Sequence, residues 1–197
     1  MKKIFKKCSY GEYIMKELLE IARKTIEFAL KCKKYIPDEK LKKKFSEKRA
    51  CFVTLSLNGQ LRGCIGSLVA RQELWKDIVS NSTSAAFYDP IFLPLTEKEF
   101  KETKIEISVL DEPKRISYSS PEELKQKIKN DGVVLSDTFR SATYLPQVWE
   151  DLPEPENFLS SLCIKAGLNS QDWKNKKLDI KVYNVIKIKE KTTRQNG

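Results

Sequence analysis

The 197-residue chain contains no histidine. That absence removes the commonest general base and metal ligand, together with every Ser-His or Cys-His nucleophilic pair. Acid–base chemistry then falls to Asp, Glu, Lys, Tyr or Cys. Cysteines are few and scattered: Cys8, Cys32, Cys51, Cys64 and Cys163 are odd in number and nowhere form a C-x-x-C pair. The pattern argues against a disulfide framework and against a zinc site, and no metal is expected. No stretch approaches the ~18 uninterrupted apolar residues of a membrane helix, and Met1 to Lys7 lacks the apolar run of a signal peptide. A cytoplasmic protein with no membrane partner is the expectation. The glycine patterns of phosphate loops, the spacing of calcium loops and the serine-hydrolase elbow are also missing, and those reaction classes go with them.

What is present suits a mixed α and β domain. At 40% apolar and 10% aromatic residues, the chain can close one core, with at most a minor lobe, as a single domain over residues 1–197. The net charge of +10 is unevenly spread. Residues 1–50 hold 16 basic and 7 acidic groups, residues 174–197 hold 8 and 2, and the segment between them holds 13 and 18. Basicity therefore belongs to the two ends, read either as arms that hold nucleic-acid phosphates or as solubilising termini.

Ser9-Tyr10-Gly11-Glu12 is a capping-box pattern ahead of Ile14, Leu18, Ile21, Ala22, Thr25 and Ala29, which predicts a long first helix. Residues 33–49, with Lys42-Lys43-Lys44, read as a loop or exposed helical turn. Two strand-like runs, 51–57 and 60–66, flank Asn58-Gly59, the signature of a two-residue type I′ hairpin. Leu74, Ile78 and Ala85 define a second helix stopped by Asp89-Pro90. Thr96 and Ser120-Pro121 mark further helix starts, the latter helix ending near Asn130. Strands follow at 105–109, 133–135 and 143–145. A helix over 158–166 is closed by Gly167, and a last long strand runs from Leu178 to Ile188 with a register change.

In a plain two-residue hairpin, Leu57 faces Gln60, Leu55 faces Arg62 and Val53 faces Cys64. Arg62 and Cys64 then share one face, with Cys51 diagonal to Cys64, and Phe52, Leu61 and Ile65 form the core side. Gly63 and Gly66 leave room for another backbone or a ligand. An arginine two residues from a thiol on one face favours the thiolate, which makes Cys64 a candidate nucleophile. The other reading makes Cys64 a buried strand residue beside Val53 and Leu55. Tyr144-Leu145-Pro146-Gln147-Val148-Trp149 sets an amide and two aromatics around a proline, either to stack on a planar ligand or to finish the core.

Leu61-Arg62-Gly63-Cys64-Ile65-Gly66, with Phe52-Val53-Thr54-Leu55, Ala85-Ala86, Asp89-Pro90, Leu145-Pro146-Gln147-Val148 and Cys163 to Leu168, resembles the AMMECR domain family from about Glu12 to Glu190. Bacterial and archaeal members are called AmmeMemoRadiSam system protein A. The resemblance implies an α+β fold, with an antiparallel or mixed, barrel-like sheet built from two sheet-and-helix repeats and helices outside. It implies a Memo-like protein and a radical S-adenosylmethionine enzyme as partners, and a role in modifying RNA or another macromolecule. It names no cofactor and no established reaction. The family's cleft residues fall on Arg62, Gly63, Cys64, Gly66, Asp89, Pro146, Gln147 and Lys165. Where relatives read Asp-Pro-Arg-Phe-Pro-Pro, this chain has Asp89-Pro90-Ile91-Phe92-Leu93-Pro94, so an arginine suited to holding an anion is missing. A glycine usual before the first motif strand is Ala50 or Cys51.

Three functions follow as expectations. In the first, a modification-system component uses Arg62 to orient an acidic or carbonyl group and Cys64 as nucleophile or contacting thiol, with Asp89 or Lys165 moving protons. In the second, an RNA-binding module grips phosphates with its ends and stacks bases on Tyr144 or Trp149. In the third, a non-catalytic adaptor docks a partner on the Leu61–Gly66 strand.

Overall fold

The computed structural model of the protein describes residues 8–190, with side chains from residue 14. The Ser9–Glu12 cap, the Cys8 thiol and the outermost parts of the two basic ends, residues 1–7 and 191–197, lie outside the described side chains. The chain divides into two compact units: one of residues up to Leu110 together with those from Ile186, the other Asp111–Val185. Each has its own cluster of buried apolar side chains, where length and composition predicted one core.

The first unit opens with helix α1 (Cys8–Leu30). Its Ile14, Leu18, Ile21, Ala22 and Ile26 recur at helical spacing and are all buried. A short helix α2 (Glu39–Lys44), capped by the Asp38 carboxylate, lies in the charged connection. The hairpin follows as β1 (Cys51–Leu57) and β2 (Gln60–Gly66). Asn58 at φ 52° and Gly59 at φ 79° supply the two left-handed residues that the turn needs. Helices α3 (Leu74–Phe87) and α4 (Glu97–Glu102) come next, α4 with the expected capping box between Thr96 and Glu99, then β3 (Lys104–Leu110).

The second unit holds β4 (Lys114–Arg115), α5 (Pro121–Lys127), β5 (Gly132–Ser136), β6 (Ser141–Tyr144), α6 (Val148–Asp151), α7 (Pro155–Lys165), α8 (Asp172–Asn175) and β7 (Asp179–Tyr183). Its core packs Leu124, Val133, Leu135, Phe158, Leu162, Trp173 and Ile180. Gly167, at φ 77°, ends α7 as expected, with its N–H donated to the Ile164 carbonyl and that of Leu168 to Cys163.

The last long strand is two strands. β7 ends at Tyr183 and β8 (Val185–Lys189) begins two residues later, and the two belong to different sheets. The sheets are β2-β1-β3-β8 and β4-β7-β5-β6. The α+β class stands, with antiparallel pairing between the strands of each registered pair. No closed barrel is found among the described residues. A barrel needs every strand paired on both sides, and each four-stranded sheet here has two edges. No described helix is long and apolar enough to cross a membrane.

Candidate functional site

The hairpin register differs from the simple count. Leu57 pairs with Gln60 and Ser56 with Leu61, but Leu55 then pairs with Gly63, Thr54 with Cys64 and Val53 with Ile65. Arg62 is the extra residue of a β-bulge, and one inserted residue shifts every later pair. The core face of β1 is consequently Cys51, Val53 and Leu55, all buried, while Phe52 and Thr54 are half-buried on the other face. Ile65 packs on the core as expected. Leu61 is 53% exposed instead of buried. Cys51 is fully buried on the core face, so it is no diagonal neighbour of Cys64 across one face. Burial pushes its thiol well above the ordinary range.

Cys64 is half-buried, its Sγ 3.3 Å from Thr54 Oγ1. Its N–H donates to Asp89 Oδ2 at 2.8 Å, and Asp89 Oδ1 accepts from the Ile91 N–H at 2.9 Å. Asp89, itself buried, thus pins the loop after α3 to the edge strand β2. Both glycines of the motif face protein. A Cβ on Gly63 would stand 2.2 Å from the Ala85 carbonyl oxygen of α3, and one on Gly66 would stand 2.3 Å from the Phe52 ring. Of the two uses foreseen for Gly63, close approach of another backbone is the one seen.

The Arg62 guanidinium is held by Glu99, Nε to Oε1 at 2.9 Å and Nη2 to Oε2 at 3.2 Å, and lies 5.9 Å from the centre of the Phe92 ring. Its Nη1 is buried with no hydrogen-bond partner. Arg62, followed by the N–H and hydroxyl of Thr96, draws the Glu99 carboxyl down to about 2. A carboxyl lowered in the folded state stabilises above its ordinary value near 4.5, and that contribution is lost as the pH falls toward about 2. Carbon-detected NMR titration of Arg62→Gln should therefore show the Glu99 midpoint moving up toward 4.5. An unmoved midpoint would mean that the Thr96 cap alone holds it.

Sequence reasoning passed over a buried carboxylate of this unit that four different residues hold. Asp77, 3% exposed on α3, accepts from the Cys51 N–H at 2.9 Å, Ser67 Oγ at 2.6 Å, Gln72 Nε2 at 2.9 Å and Asn81 Nδ2 at 3.0 Å. The signal was available. Asp77 and Asn81 fall three and seven residues after Leu74, on the apolar stripe that defines the helix.

The remaining predicted residues lie in the second unit. Lys165 Nζ donates to the Thr143 carbonyl at 3.0 Å and stands 4.6 Å from the centre of the Tyr144 ring. The Tyr144 hydroxyl shares a 2.8 Å hydrogen bond with Ser161 Oγ, and its ring packs edge-on against Phe158. Trp149 is buried, stacked on Phe158 at 4.0 Å, and donates from Nε1 to the Asp131 carbonyl, so it finishes a core. Pro146 and Gln147 open α6, where the Pro146 carbonyl accepts from the Trp149 N–H. Gln147 Oε1 is buried without a partner. Arg62, Cys64 and Asp89 are thus neighbours in one unit, and Tyr144 and Lys165 meet in the other, where Pro146 and Gln147 also lie. Of the lysine run, Lys42 pairs with Glu39 at 2.7 Å and Lys44 with Glu17. Among the described residues no group of three or more Cys, Asp or Glu side chains is spaced to hold a metal ion.

An α+β protein of two sheet-bearing units, with a glycine-flanked bulged edge strand braced by a buried aspartate, is what these elements define. The AMMECR1 family model matches residues 19–188, and the chain belongs to the AMMECR1 family. It is 38% identical over 171 residues to Protein NEQ441 of Nanoarchaeum equitans, covering 84% of this chain and 94% of that one. A protein of Aquifex aeolicus is 33% identical, covering 90% and 93%. Among solved structures, the uncharacterized protein PH0010 from Pyrococcus horikoshii matches with a TM-score of 0.77 at 31% identity, covering 90% of this chain and 91% of that one.

Proposed function

We propose that the protein is a non-catalytic docking component of a radical-S-adenosylmethionine-associated macromolecule modification system, of the AmmeMemoRadiSam protein A type, with the strand β2 and the loop after α3 as its docking surface. One observation carries the reading: that loop displays Tyr88, Ile91 and Leu93 at 74, 79 and 83% exposure while its backbone is tied to β2 through Asp89. Large apolar side chains held out on a braced loop suit burial against a partner protein, with little ordering left to do on binding. A Memo-like protein or a radical enzyme with an apolar face is the occupant that the family resemblance implies.

Chemistry at Cys64 has less support. The nearby cation is held by Glu99, and the Asp89 carboxylate is taken up by the backbone N–H groups of Cys64 and Ile91.

The test is co-purification of the tagged full chain with the candidate partners. Changing Tyr88, Ile91 and Leu93 together to serine should weaken the complex at least about tenfold while leaving stability within about 1 kcal/mol, as substitutions of exposed side chains do. Cys64→Ser should keep both the complex and the activity of the system in cells. An unweakened triple variant would sink the docking surface. Loss of activity in Cys64→Ser with the complex intact would restore the nucleophile.

A further inference from the structure

A cleft beside α3 holds an acid with no counter-charge. It lies between the segment that follows β2 and the first half of α3, and its ≈550 Å³ is within the range of small-molecule sites. Asp77 is the most deeply buried of the side chains that line it. The four donors that hold this carboxylate are all neutral, and it makes no ion pair among the described residues. Its place in the first turn of α3 offsets part of the charge through the helix dipole. A buried carboxylate without a cation is nevertheless costly, and a cationic group entering the cleft would relieve it.

Two amide side chains add to the acceptor character of the cleft. Asn81 Nδ2 donates to the Cys51 carbonyl and to Asp77 Oδ2, both at 3.0 Å, and Gln72 Nε2 donates to Asp77 Oδ1 at 2.9 Å. Those partners only accept, so the amide nitrogens must face them and the oxygens Asn81 Oδ1 and Gln72 Oε1 face away. Neither oxygen has a partner among the described residues, and both side chains line the cleft. The same cleft carries the opposite charge as well. Arg71 is exposed there with no acidic partner among the described residues, beside the exposed apolar side chains of Leu68 and Val69.

We propose that this cleft binds a free α-amino acid with an apolar side chain. The ammonium group meets Asn81 Oδ1, Gln72 Oε1 and the charge of Asp77, the carboxylate pairs with the Arg71 guanidinium, and the side chain lies against Leu68 and Val69. A simple amine would leave Arg71 unmatched, and a simple anion would face the Asp77 charge. A zwitterion satisfies both ends. The site shares no residue with Tyr88, Ile91 and Leu93, so it stands or falls separately from the docking loop.

The probes are L-leucine, L-methionine and L-phenylalanine, each titrated into the ¹⁵N-labelled full chain and read at the Arg71 Nε–H and Asn81 side-chain amide signals by NMR. At least one should saturate both signals with a dissociation constant of about 1 mM or tighter. Its N-acetyl and carboxamide derivatives, which each remove one charge, should bind at least about tenfold more weakly. Asp77 holds too many donors to be replaced cleanly, so the N-acetyl derivative tests the acceptor half of the site. Arg71→Gln tests the other half, and should weaken binding at least about tenfold with an unchanged melting temperature, because the side chain is exposed. Saturation by none of the three amino acids, equal binding of either blocked derivative, or undiminished binding in Arg71→Gln would each overturn the proposal.

Discussion

Replacing Asp77 with alanine should lower the free energy of unfolding of the first unit by about 3 to 5 kcal/mol, since each buried donor left without its acceptor costs about 1 to 3 kcal/mol. Two of its donors, the Cys51 N–H and Asn81 Nδ2, are in buried residues and lose their carboxylate partner outright. Ser67 and Gln72 lose theirs nearer the surface. Asp77→Asn keeps one acceptor oxygen and should cost about half as much. Urea unfolding followed by circular dichroism measures the total, and amide exchange at Cys51 isolates the first strand. Stability within about 1 kcal/mol of the parent would show that the donors find water or one another.

Gly63→Ala is the second large effect, with an expected cost of about 2 to 4 kcal/mol from overpacking. The added methyl meets the Ala85 carbonyl oxygen at 2.2 Å, a backbone atom inside α3 that moves only if the helix moves off the sheet. Gly66→Ala meets the Phe52 ring at 2.3 Å and the Cys51 carbonyl oxygen at 2.7 Å, and the ring at least is free to turn. The ordering of the two melting temperatures, Gly63→Ala below Gly66→Ala, is the measurement. The reverse order would mean that α3 yields more easily than the aromatic ring.

Much of the fold was legible because local chemistry and tertiary position agree. Asn58-Gly59, Thr96 with Glu99, Ser120-Pro121 and Gly167 each mark an element end in the sequence and each do so in the structure. The register of the hairpin was not legible. A two-residue turn fixes only the first pairs, and nothing local distinguishes Arg62 as a bulge residue. Its placement follows from Gly63, which must face Ala85 so that α3 can approach, and from Glu99, which draws the guanidinium aside. The same slip decides the neighbours of Cys64, which pairs with Thr54 where the plain count gives Val53. Short elements such as β4, α6 and α8 carry too few residues for periodicity to register. Asp77 was missed because a carboxylate on an apolar stripe looks like an interruption until its donors, supplied by a strand 26 residues earlier and a loop between, are in place.

The chain's passage through Asn184 from one sheet to the other also orders events in time. The sheet of the first unit gains its fourth strand only from residues that leave the ribosome after the whole of Asp111–Val185, and the contact between Ile105 and Glu190 spans 85 positions. The second unit is contiguous and has every strand it needs before that point. During synthesis it is therefore the later-encoded half that can finish first. The earlier half waits with the Ile105, Ile107 and Val109 strand uncovered along one side, the segment most in need of a chaperone until the final strand arrives.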